Sequence, residues 1–118
     1  HTGNSPGTDE NGEIMKDVNI FSAAIKTWGA EVQTLIVMEE MAELQKELCK
    51  HSRGADNRTA IAEEIADVQI MLEQMMILHD CIGLTKAYRE EKIKRLEERI
   101  KGRMCKTDYD EQGADPDN

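Results

Sequence analysis

Aromatic side chains and surplus positive charge are both missing from this chain. Among 118 residues there are one Trp, one Phe and two Tyr, and 15 Lys and Arg face 24 Asp and Glu, for a net charge of −9. A phosphate backbone is held by a basic surface, so nucleic acid is not an expected partner. No apolar run approaches the roughly 20 residues that cross a bilayer, and no signal peptide is evident, so a membrane is not an expected partner either. The three cysteines, Cys49, Cys81 and Cys105, are odd in number and lack C-x-x-C spacing. That argues against a disulfide or zinc framework and reads as reduced thiols in a cytoplasmic protein. Strand-like alternation of useful length is absent too, which leaves an all-α chain as the expectation.

The two ends look unlike the middle. Residues 1–15 are nearly devoid of large apolar side chains and read as a disordered arm or a leftover of expression. Residues 105–118 are acidic, contain Gly113 and Pro116, and read as a flexible tail. The domain is expected over residues 16–104. A fold of about 90 residues buries only a modest core, so an antiparallel bundle of about four helices, completed by oligomerisation, is the predicted architecture.

Helical periodicity sets the elements. Asp17 is a plausible cap for a first helix ending at Trp28, with Val18, Phe21, Ala24, Ile25 and Trp28 on one stripe and Gly29 as the break. A second helix is expected from Ala30 to His51. Gln33, Ile36, Val37, Glu40, Glu43, Leu44 and Glu47 share one of its faces. Leu35, Met38, Ala42 and Cys49 form a second apolar stripe opposite, and Glu39, Lys46 and Lys50 form a wet strip. Residues 52–58 read as a loop in which Gly54 ends one helix and Asn57 or Thr59 caps the next. The third helix is expected over 59–82, stopped by Gly83, with Ile61, Glu64, Asp67, Val68, Met71, Leu72, Met75 and Leu78 on one face. The fourth is expected over 85–101, stopped by Gly102 and lined by acid-to-base pairs such as Glu91–Arg95.

Carboxylates inside apolar stripes conflict with burial. Glu40 and Glu43 are three apart, as are Glu64 and Asp67, so each pair shares a helix face. Buried without a counter-charge, such pairs are costly or become protonated. If the second and third helices lie side by side, four carboxylates converge. Oxygen donors without Cys or His suit Mg²⁺ or Mn²⁺. Glu-x-x-His, which a di-iron bundle would use, is absent. The plainer alternative is that these acids are solvated helix faces.

Glu39-Glu40-x-x-Glu43, twenty intervening residues and then Glu64-x-x-Asp67 resembles the signature of the all-α nucleoside triphosphate pyrophosphohydrolases, the MazG-like group that also includes dimeric dUTPases. Trp28-Gly29, Met38 to Leu44 and Glu63 to Val68 are similar to that group as well, and the resemblance extends from about Asp17 to Ile100. It implies Mg²⁺-dependent cleavage of a nucleoside triphosphate substrate to the monophosphate and pyrophosphate by metal-activated water, with house-cleaning of non-standard nucleotides as one role. Carried onto this chain, Glu40, Glu43, Glu64 and Asp67 become metal ligands, with Mn²⁺ as a substitute ion, and Glu39 an added catalytic candidate. Lys92 and Arg95 become phosphate contacts. From the residues themselves, Trp28, the single Trp, is a candidate for stacking on a base or for the core, and Gln33, seven residues before Glu40 on the same face, for a hydrogen bond to substrate or a metal ligand. A homodimer or homotetramer is implied. Two other functions fit the same residues: a catalytically weak nucleotide- or metal-binding regulatory module, and a purely structural helical oligomer.

Overall fold

The computed structural model describes residues 17–105; the expected arm and nearly all of the expected tail lie outside them. Four helices occupy the described residues, and no strand occurs among them: α1 Val18–Trp28, α2 Ala30–Ser52, α3 Arg58–Leu78 and α4 Ile82–Cys105. They fall into two compact units, with the boundary in the chain between Cys81 and Ile82. The first unit holds α1, α2 and α3, and the second holds α4.

Glycine sets the first two breaks, as the sequence suggests. Gly29 adopts φ 96°, ends α1 through an N–H bond to the Ile25 carbonyl (2.7 Å), and offers its own carbonyl to Gln33. Gly54 adopts φ 104°. Its N–H donates to the His51 carbonyl and that of Ala55 to the Lys50 carbonyl, so the end of α2 closes in a Schellman arrangement. Asn57 holds the N-cap position of α3, but its side chain caps nothing. Instead its amide donates to the Glu47 carbonyl (2.9 Å) and carboxylate (2.8 Å), tying the loop back to α2.

Two predicted stops are corrected. α3 ends at Leu78 because Asp80, not Gly83, enters the left-handed region at φ 53°. The Asp80 N–H bonds the Ile77 carbonyl and the Cys81 N–H bonds that of Met76, a second Schellman closure. Aspartate tolerates this conformation better than most residues with a Cβ. Gly83 then lies inside the first turn of α4. Gly102 does not stop α4 either, since the helix runs on through it to Cys105.

α2 and α3 form an antiparallel hairpin, with α1 packed on both. Phe21, Val37, Val68 and Met71 are the buried apolar residues among those described, and Gln33 and Gln74 are buried with them. Full burial of each apolar side chain contributes about 1.5–3 kcal/mol. Against that small core stand many large apolar side chains left in the open, including Leu35, Met38, Met41, Leu48, Ile65 and Leu72.

Candidate functional site

The hairpin brings acids from its two helices together. One carboxylate oxygen each from Glu40 on α2 and Glu64 and Asp67 on α3 lie within 4.8 Å of one another, and all three residues are half-buried. Glu64 and Asp67 meet Glu40 because i, i+3 spacing puts them on the face that α3 turns toward α2. Burial pushes the Glu40 carboxyl above its ordinary range. The charges of Asp67 and Glu43 add to this, a hydrogen bond with Glu64 works against it, and Glu39 adds a smaller push. Glu64 is raised in the same way, by burial first and then by Asp67, Glu40, Glu43 and Glu63. Its Oε1 is enclosed and has no hydrogen-bond partner.

Not every acid of the signature joins the trio. Glu43 is close enough to act on Glu40 and Glu64 electrostatically, but its side chain is half exposed and faces Lys46, with Nζ 3.7 Å from Oε1. Glu39 and Glu63 are exposed. Glu47 is committed elsewhere: it accepts hydrogen bonds from Asn57 and Lys50, and the Asn57 bond, the larger influence, lowers its pKa.

The expected substrate contacts fall in three different settings. Gln33 is 3 % exposed and donates through Nε2 to Gln74 Oε1 at 2.7 Å, while its own Oε1 has no partner. It is thus a buried polar member of the hairpin, seven residues before Glu40 on the same helix. Gln74 was not anticipated. Its signal is positional: it follows Asp67 by seven residues, as Gln33 precedes Glu40 by seven, so an antiparallel pairing that joins the acids also joins the amides. Trp28 is 60 % exposed at the end of α1, which rules out a core role within the first unit and leaves its ring free to stack. Lys92 and Arg95 belong to α4. Arg95 stands 3.8 Å from Glu91, and Lys92 lines a shallow surface with Tyr88, Arg89 and Leu96.

Three clustered carboxylates with an unsatisfied enclosed oxygen and no sulfur or imidazole among them fit a hard divalent cation. Like charges held this close oppose each other, and a cation relieves that opposition. No family model, curated protein or solved structure matches the chain.

Proposed function

We propose that this chain is a divalent-cation-dependent nucleoside triphosphate pyrophosphohydrolase of the MazG-like kind. The observation that carries the reading is the convergence of Glu40, Glu64 and Asp67 from two helices, with Glu64 Oε1 enclosed and unpartnered. These are three of the four acids that the two-part signature nominates as ligands. Mg²⁺ or Mn²⁺ would be held by them, with Glu43 one helical turn away as the fourth. When bound, the ion supplies charge neutralisation for a triphosphate and activation of water. In the reaction, water adds to the α-phosphorus, the bond from that phosphorus to the α–β bridging oxygen breaks, and pyrophosphate leaves with the bond's electron pair.

The assay is incubation with each common NTP and dNTP plus Mg²⁺, with product identification. Pyrophosphate and the monophosphate are expected in equal amounts; inorganic phosphate with the diphosphate would contradict the reaction.

One observation favours a second reading, a binding module with little turnover: Glu43 is turned toward Lys46 rather than into the trio. Glu43→Gln separates the two. In an enzyme it removes most of the turnover, whereas in a binding module nucleotide and metal affinity change little and there is no turnover to lose.

The proposed assembly is a homodimer or homotetramer. Its support is the small core of the first unit and the large apolar side chains left uncovered on α2 and α3.

A further inference from the structure

The outer face of α2 carries a pattern that the carboxylate trio does not use. Leu35, Met38, Ala42, Gln45, Cys49 and Ser52 recur at alternating steps of three and four residues, and every one is exposed. That spacing is the seam of a two-helix coiled coil, with Gln45 as a polar position inside it. Met41 and Leu48, also exposed, border the seam on one side, and Glu39 and Lys46 border it on the other. The two border charges are seven residues apart and opposite in sign.

We propose that this face binds the same face of a second copy, with the two α2 helices antiparallel. The inference rests on the proposed assembly and specifies its surface; it does not depend on the metal reading. Charge complementarity selects both the occupant and its direction. In an antiparallel pair, side chains on the same border meet each other across the two-fold axis, so Glu39 of each copy faces Lys46 of the other. This gives two opposite-sign pairs in one isologous contact. On the other border Met41 meets Leu48, twice. Along the seam Met38 lies opposite Cys49, and Ala42 lies opposite Gln45 on either side of the axis. The short alanine leaves room for the longer amide. The two Gln45 side chains then flank the axis, where the amide of each can donate to the carbonyl oxygen of the other. A polar seam position of this kind costs some stability and fixes the register. A parallel pair would instead set Met41 or Leu48 beside the border charges and make no complementary charge pair. Lys46 is available for the exchange: its contact with Glu43 joins two exposed groups at 3.7 Å, the kind of pair that contributes little.

The test uses the full chain. Sedimentation at about 100 µM should show a dimer or a multiple of it, and a monomer would overturn both this inference and the proposed assembly. With Met38→Cys under mild oxidation, peptide mapping should find a disulfide from position 38 of one copy to Cys49 of the other. Within one helix these positions are about 16 Å apart, beyond disulfide reach, so the bond reports only on contact between copies. An oligomer that links Cys49 to Cys49, or that never forms the 38-to-49 bond, would overturn this surface and leave the assembly standing. Lys46→Glu should raise the dimer dissociation constant about tenfold, since two pairs change from attraction to repulsion at once. Adding Glu39→Lys should bring it back. The double variant keeps the new Glu43–residue 46 repulsion within the helix, so its recovery isolates the contact across the interface, and failure to recover sinks the proposal.

Discussion

At Glu64 the conflict between fold and charge is most concentrated. Its carboxyl is raised by burial and by four neighbouring acids, and one oxygen has no partner. Glu40 is raised for the same leading reason. A carboxyl whose folded pKa lies above its unfolded value adds stability that is fully present below the unfolded pKa. That stability is lost as pH rises through the folded value. The metal-free protein should therefore melt at a lower temperature at pH 7.5 than at pH 4.5, the ordinary value for these carboxyls, as far as these two groups decide it. Glu64→Gln should flatten that slope and raise the metal-free melting temperature at neutral pH. Mg²⁺ at millimolar concentration should raise the melting temperature of the unsubstituted chain by ligand linkage, more at pH 7.5 than at pH 5, and that of Glu64→Gln far less. Equal Mg²⁺ shifts in both proteins would remove Glu64 from the ligand set.

The helices were legible from periodicity, and the breaks at Gly29 and Gly54 from glycine alone. What escaped were the end of α3 and the run of α4 through Gly102. Gly83 looked like the stop, yet helical backbone accommodates glycine at about 1 kcal/mol relative to alanine, and a left-handed aspartate completed the closure three residues earlier. The same physics assigns opposite signs to two substitutions. Gly54→Ala has open space around the added Cβ, so its effect is the left-handed backbone alone, a loss of about 1–2 kcal/mol by denaturant melting. Gly102→Ala also meets open space, but in a helical conformation, and should add about 0.5–1 kcal/mol of helix stability, visible as increased helicity. A rise for Gly54→Ala would contradict the assigned closure of α2. Three of the four acids were legible because i, i+3 spacing survives any reasonable packing. The pairing of Glu43 with Lys46 was not, because Glu43 lies at the edge of its stripe, within reach of that lysine. Sequence position placed Gln33 on the face of the acids without showing that its amide would meet Gln74.

Across the whole molecule, the inner face of α2 serves the hairpin and the carboxylates, while the outer face is left as a seam. No helix among the described residues is long and apolar enough to cross a membrane. The four buried apolar side chains among the described residues mark how little apolar surface is covered within the first unit.

The lysine between these two faces has a consequence for both. Lys46 lies 3.7 Å from Glu43, the acid that stands apart from the trio. If the proposed contact forms and the acids hold a cation, a lysine drawn to Glu39 of a second copy would leave that carboxylate free to join the ligands. Metal affinity and subunit affinity would then share one side chain and be coupled reciprocally: the factor association adds to Mg²⁺ binding at each site is the factor each bound Mg²⁺ would add to association. In that case dimer dissociation constants measured without and with saturating Mg²⁺ should differ by the square of the factor between the Mg²⁺ dissociation constants of monomer and dimer, since each dimer holds two sites. Lys46→Ala should bring both factors close to one, and a dimer indifferent to Mg²⁺ would show that the lysine serves only one of the two.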